Sequence, residues 1–412
     1  MKKYIISGIG PSTGGVGRLV KTLISYTGQH FSDVEVIYIY AKKNKLFKFL
    51  KESFLGDFLK LIFYKYFTQS GIKSRIKNIT GSKVLVIHPQ TLGFDNVYTL
   101  AENNNQLYFY VMDCGFFCMK SYNHISPAFT SCLACLGSSD FAPAVQHKCT
   151  PFPVSFQVDE NIRFLRFLRE NHSRFSFLAQ NESQEKMIKR HFGEDCRTRI
   201  VGMYTDEMET AGNKDPVADP VADPVSDPVA AGTETDGGIF PEIVYHGSLD
   251  EAKGILYVLH LAPFLQPHSV LIPYSAAQIN GRYGKIPLPG NLVCQEMTWE
   301  TGLEAAVKKA KLVLTPSVWS APIEGAVLKS IYFNGCVASL NTECSFASDL
   351  ISSDVLLELT EDYSLSAQRI KEILIPGAAR EALSRNAAGW MERYKSDKGR
   401  KQKELFDFIF AD

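Results

Sequence analysis

Leu314-Thr-Pro-Ser-Val-Trp-Ser-Ala-Pro-Ile-Glu-Gly-Ala-Val-Leu-Lys-Ser330 carries an apolar strand into a Pro-Ser turn and then into a helix that opens at Glu324, Gly325 and Ala326. The first turn of a helix presents N–H groups without intrahelical partners and the positive end of the dipole, and glycine lets a phosphate approach the backbone closely. The stretch therefore predicts an α/β chain with an anion site at a helix start. An ordinary strand-turn-helix unit with no ligand is the plain alternative.

Outward from this stretch, short apolar runs alternate with helix-period segments. Upstream the strands are Lys3 to Gly8, Val34 to Tyr40, Lys83 to His88, Leu107 to Met112, Phe175 to Ala179 and Thr198 to Val201, with helices Val16 to Tyr26 and Glu182 to Phe192. Around the opening stretch come strands Ile243 to His246, Val270 to Tyr274, Leu292 to Gln295, Val337 to Leu340 and Val355 to Leu359, with helices Leu256 to Phe264 and Thr301 to Ala310. Continuous apolar strands between helices imply parallel sheets covered on both faces. Between the halves, Asp215-Pro-Val-Ala, Asp219-Pro-Val-Ala, Asp223-Pro-Val-Ser and Asp227-Pro-Val-Ala form a tandem repeat. A proline every fourth residue blocks helix and removes donors, so a linker is expected. The predicted organisation is a first domain at 1–205, a linker at 206–240, a second domain at 241–385, and a terminal helix at 386–412 packing back on the first domain.

A chain of 412 residues suits two such domains. Lys plus Arg and Asp plus Glu both number 44, which disfavours a nucleic-acid partner, so any charged ligand must be recognised locally. The start of the chain reads as a buried strand, not a signal peptide, and no run is long and apolar enough to cross a bilayer. A cytoplasmic protein is expected, with room for peripheral attachment to the inner face of a membrane. The nine cysteines include Cys114, Cys118, Cys132, Cys135 and Cys149 in one short region. Two readings stand for them: buried free thiols, or a structural zinc held by Cys132, Cys135 and Cys149.

Ser12-Thr-Gly-Gly-Val-Gly-Arg18 joins the first strand to the first helix, and such a loop brings backbone N–H groups to a phosphate or sugar. Dinucleotide-binding oxidoreductases also have a glycine-rich first loop, but they place an acidic residue at the end of the second strand. Val36-Ile-Tyr-Ile-Tyr-Ala-Lys42 has none.

Taken together, this loop, Phe177-Leu-Ala-Gln-Asn-Glu-Ser183 with the basic helix that continues to Phe192, Tyr245-His-Gly-Ser-Leu-Asp-Glu-Ala-Lys-Gly254 and the opening stretch through Gly335 resemble the retaining GT-B glycosyltransferases of the glycogen-synthase-like group 1 clan, of the bacterial surface-polysaccharide type. The resemblance implies two Rossmann-like domains facing across a cleft, a nucleotide-sugar donor (UDP- or GDP-linked) in the second domain, and a glycan or lipid-linked acceptor in the first. It implies that no further cofactor is required. It places Gly14, Gly15, Gly17, Arg18, Ser248, Lys253, Glu324, Gly325, Ala326, Val327 and Ser330 on the donor, and His88 and Asp113 on the acceptor side. Asp113, Glu324 and Lys253 are the expected catalytic residues.

The chain departs from the family pattern in two places. Ser248 stands where the family has an arginine beside the diphosphate-binding lysine. Pro322 and Ser330 occupy the positions of the family's paired glutamates, with Glu324 near the first, so a non-catalytic relative serving as a binding or scaffold subunit is the rival reading. No Asp-x-Asp sequence occurs, which argues against a single-domain enzyme that clamps diphosphate through a metal.

From Ala41 to Lys77 ten Lys or Arg stand against Glu52 and Asp57, a local balance of +8, and Phe47, Leu50, Phe54, Phe58 and Leu61 follow helical spacing. Such a face suits an anionic membrane surface, or alternatively packs its apolar side on the sheet.

Overall fold

A computed structural model describes residues 1–12, 14–39, 69–138, 140–152, 158–204 and 241–411. The repeat segment and the aromatic stripe from Phe47 to Leu61 lie outside the described residues.

Two parallel sheets organise the chain. The first contains β1 (Lys3–Ser7), β2 (Val34–Tyr38), β3 (Lys83–Ile87), β4 (Gln106–Tyr110), β5 (Phe175–Ala179) and β6 (Arg197–Ile200), in the order β2-β1-β3-β4-β5-β6. The second contains β7 (Ile243–Tyr245), β8 (Val270–Ile272), β9 (Leu292–Cys294), β10 (Leu312–Leu314), β11 (Val337–Leu340) and β12 (Leu357–Leu359), in the order β12-β11-β10-β7-β8-β9. Every pairing is parallel, with registers such as Tyr4 opposite Val84 and Val313 opposite Val337. The second order is that of a Rossmann sheet, and in both sheets the chain reverses direction beside the first strand, at β1/β3 and at β7/β10, where a crevice opens beyond the carboxyl ends of the strands.

Strand alternation explains the layering. Val84 and Val86 of β3 enter one core while Leu85 and Ile87 enter the opposite one, and Ile243 and Tyr245 of β7 face away from Val244 in the same way. One of these cores is shared between the halves: Ile5, Leu85 and Leu178 of the first sheet join Val327, Ile331 and Val337 of the second domain. The helix Ala378–Phe410 completes it. Its first part meets the second domain, with Trp390 and Phe346 rings 5.8 Å apart. Its last part lies on the first domain, where Tyr394 donates to Met203 O at 2.5 Å and Phe406 stacks on Phe31 at 4.9 Å.

Two helices differ from the sequence expectation. The segment expected as one helix from Thr301 to Ala310 starts as a wide turn, Trp299–Leu303, in which Gly302 is non-helical, and only Glu304–Lys309 is α-helical. The segment after Leu256 passes from an α-helix, Ile255–Leu261, into a tighter turn at Ala262–Leu265, where Pro263 supplies no N–H for the ladder. Helices Phe94–Glu102, Val158–Glu170 and Tyr363–Leu374 also form, and the sequence reading did not name them.

Candidate functional site

A cleft of about 760 Å³ lies between the carboxyl ends of the two sheets. The loops after β1, β3 and β4 bring Gly15, Val16, His88 and Asp113 to one wall, and the loops after β7 and β10 bring Ser248, Lys253 and the segment Pro322–Val327 to the other. It therefore occupies the crevice that the strand order opens in each sheet.

Lys253 is placed by a short turn. Asp250 caps the turn by accepting from the Ala252 N–H at 2.9 Å, and the buried Tyr245 hydroxyl donates to Ser248 O at 2.8 Å and Lys253 O at 3.1 Å. Gly254 then adopts φ +80°, and a Cβ there would stand 1.9 Å from the Pro316 carbonyl oxygen. Only glycine lets the Lys253 turn lie against the Pro-Ser turn that leads to Glu324. The result is an ion pair between Lys253 Nζ and Glu324 Oε1, with Ser317 Oγ donating to the same oxygen at 3.0 Å. The ammonium lies over two rings, Tyr122 at 4.9 Å and Trp319 at 4.7 Å. Burial lowers the pKa of Lys253, but the charge of Glu324, followed by Tyr122, outweighs it and holds the group above the usual lysine range.

Glu324 is the N-cap of the helix Gly325–Phe333 and makes no side-chain cap bond. Its carboxylate is engaged by Lys253 instead. The first-turn residues Gly325, Ala326 and Val327 line the cleft, so the unpartnered donors of that turn and an ammonium converge on one wall.

On the opposite wall His88 ends β3 with φ 56°, and its Nδ1 lies 2.8 Å from Thr91 Oγ1. Asp113 accepts from the Gly115 N–H at 2.9 Å. Burial raises the Asp113 carboxyl and lowers the His88 imidazole, while each partly offsets the other's shift through its charge. Phe152, 44 % exposed, meets His88 edge-on at 5.8 Å.

Several expected residues sit elsewhere. Ser330 is fully buried, and its hydroxyl lies 2.8 Å from His246 Nδ1, so it does not face the cleft; His246 does. Arg18 stands near Glu300 and Lys329 of the second domain and is not among the lining residues. Gly14 is the helix N-cap outside the lining, and Gly17 allows close packing, since a Cβ would fall 1.9 Å from Ser12 Oγ. Gly15 does line the cleft.

Cys132, Cys135 and Cys149 share a small cavity with Cys114 and Cys118. Among the described residues no group of three His, Cys, Asp or Glu side chains is arranged to hold a metal ion, as a zinc at Cys132, Cys135 and Cys149 would require. All nine cysteines are free thiols, and burial pushes Cys135 up to about 11.

Tyr122, Trp319, Arg282, His246 and Phe152 line the cleft and were not singled out by the sequence. Arg282 closes the helix Ala276–Tyr283 and lies 3.9 Å from Asp250, so the wall that lacks an arginine at Ser248 has one from another element.

No protein-family model matches the chain, and no curated protein matches it in sequence. Solved structures do match its shape. Sucrose-phosphate synthase from Thermosynechococcus elongatus aligns over 99 % of both chains at 13 % identity with a TM-score of 0.57. The fold is GT-B. HepE from Anabaena, solved with UDP, aligns over 98 % of this chain and 99 % of its own at 12 % identity and a TM-score of 0.56. WaaG, a glycosyltransferase involved in lipopolysaccharide biosynthesis, aligns over 99 % of this chain and all of its own at 13 % identity and a TM-score of 0.56. This GT-B chain thus matches its neighbours over both domains, and among the described residues no helix is long and apolar enough to cross a membrane.

Proposed function

We propose that this chain is a glycosyltransferase that moves a sugar from a nucleotide-sugar donor, held by residues 241–385, to a glycan or lipid-linked acceptor held by residues 1–205. The observation that carries the reading is the convergence of Lys253 and the helix start at Gly325 on one wall of a cleft whose other wall presents His88 and Asp113. HepE structures hold UDP and UDP-glucose, which makes UDP the first nucleotide to test.

In this reading the bond between the anomeric carbon and the β-phosphate oxygen breaks with its electron pair on the phosphate. The first-turn N–H groups, and Lys253 as its pairing with Glu324 loosens, receive that charge. Asp113 accepts a hydrogen bond from a neighbouring hydroxyl of the acceptor and so orients it, while the attacking hydroxyl's oxygen forms the new bond and its proton passes to the departing phosphate. The family resemblance implies retention of configuration and no metal. The basic aromatic stretch from Ala41 to Lys77 is the segment we assign to an anionic membrane surface, at the inner face where a capsule or O-antigen intermediate is assembled.

Thermal-shift titration with UDP, GDP, CMP and dTDP tests the donor assignment, because a ligand that binds only the native state raises its melting temperature. A rise with UDP is expected; no rise with any of the four defeats the reading. A second reading, a non-catalytic nucleotide-binding subunit, is favoured by the burial of Ser330 against His246 and by Pro322 at the other glutamate position. It predicts a melting shift with UDP and no release of UDP from any UDP-sugar.

A further inference from the structure

Lys253 is clasped by rings from both domains. Tyr122 belongs to the loop after β4 and Trp319 to the turn after β10, and their centroids are 4.4 Å apart at 44°. Tyr122 lines the cleft and is 37 % exposed, so burial in a core does not explain its position. A lysine ammonium over an aromatic face is held most strongly where water is excluded, and the Lys253 side chain is only 19 % exposed.

Beyond Tyr122 its loop is tied to the second domain at several points. Asn123, 2 % exposed, accepts from the Ser320 N–H at 2.8 Å and donates to Ser320 Oγ at 3.0 Å, while also donating to Cys132 O at 3.1 Å within its own loop. Ser131 donates to Glu343 O at 3.2 Å, and the Phe129 ring meets Tyr257 edge-on at 5.6 Å. These ties to the second domain hold Tyr122 against Lys253. The buried Trp319 Nε1–H also finds no acceptor among the described residues.

We propose that Tyr122 is a positioning residue for the donor diphosphate, which it serves by closing an aromatic clamp on Lys253 from the opposite domain. The inference rests on the glycosyltransferase reading and names how the two domains cooperate in it. With serine at position 248, Lys253 is the charge its turn supplies, and a long flexible side chain binds phosphate best when its rotamer is fixed beforehand. Tyr122 supplies that fixing through the contact between the two domains.

Calorimetric titration of UDP into the full chain and into Tyr122→Phe and Tyr122→Leu, with uridine as a competitor lacking phosphate, tests this. Tyr122→Phe keeps the ring and should leave the UDP affinity within about twofold, whereas Tyr122→Leu should weaken it about tenfold and leave the uridine affinity unchanged. If the leucine variant fails to fold, Tyr122→Met gives the same comparison at similar volume without an aromatic face. Unchanged UDP affinity without the ring overturns the proposal. So does an equal loss for UDP and uridine, or a phenylalanine variant as weak as the leucine one. Should the wild-type chain bind neither UDP nor GDP, the glycosyltransferase reading fails and the proposal fails with it.

Discussion

Lys253 and Glu324 form an ion pair across the Pro-Ser turn, so the ammonium assigned to the donor phosphate is already neutralised by a carboxylate in the free protein. Both side chains are largely buried, at 19 % and 10 % exposure. Removing one partner of such a pair strands the other, at about 3 kcal/mol. Lys253→Ala should therefore lower both transfer and stability, the first by at least about a hundredfold. Lys253→Ala combined with Glu324→Gln should recover most of the melting temperature and none of the activity. Recovery of both would make the lysine structural.

Glu324→Gln alone gives a different expectation. On the proposed reading the carboxylate competes with the donor diphosphate for Lys253 and lies beside the donor sugar, so its removal should tighten UDP binding while turnover falls. Titration calorimetry and initial rates on the same preparation separate the two effects. Weaker UDP binding in the glutamine variant would assign Glu324 to holding the turn together.

His246 predicts a pH dependence. Burial, with the charge of Lys329 second, lowers its pKa from 6.5 to about 4. Below pH 6.5 the unfolded chain takes up a proton that the folded chain refuses, so the stability contributed by neutral His246 is complete above pH 6.5 and is lost as pH falls toward 4. Its size is on the order of 3 kcal/mol. The melting temperature of His246→Asn should fall less steeply than that of the wild type between pH 6.5 and about 4. Parallel slopes would show that the imidazole is not held neutral. Because His246 stacks on Trp299 at 5.1 Å and lines the cleft, nucleotide binding should weaken over the same range.

Two glycines make opposite predictions. Gly254→Ala meets the Pro316 carbonyl and a left-handed backbone, and should cost at least about 2 kcal/mol of stability as the Lys253 turn is displaced. Gly15 has open space around it, so Gly15→Ala should leave the melting temperature within about a degree and change only the ligand affinity. Thermal melts with and without UDP give both numbers. A strongly destabilised Gly15→Ala variant would contradict the placement of that loop.

The fold was legible because parallel strands buried on both faces read as apolar runs, and Val84-Leu-Val-Ile87 and Leu312-Val-Leu314 both became central strands. The convergence of Lys253 and Glu324 to Val327 on one wall of the cleft was legible for a local reason: Glu324 to Val327 form one helix start, and Lys253 lies one residue before a glycine that the close turn requires. Ser330 was misplaced because sequence spacing put it on the right helix without showing that its hydroxyl would meet His246 from the end of another strand. Tyr122 left no local signal at all. Its contact with Lys253 depends on a loop of one domain being pinned by Asn123 to Ser320 of the other, two positions 197 residues apart.

The most direct test is the structure of the chain crystallised with UDP. The account predicts the β-phosphate within hydrogen-bond distance of Lys253 Nζ and of the Gly325 or Ala326 N–H, with the Lys253–Glu324 pair loosened and Tyr122 still over the ammonium. A nucleotide bound away from the helix start at Gly325, or a cleft that stays empty at saturating UDP with Lys253 still paired to Glu324, would contradict it.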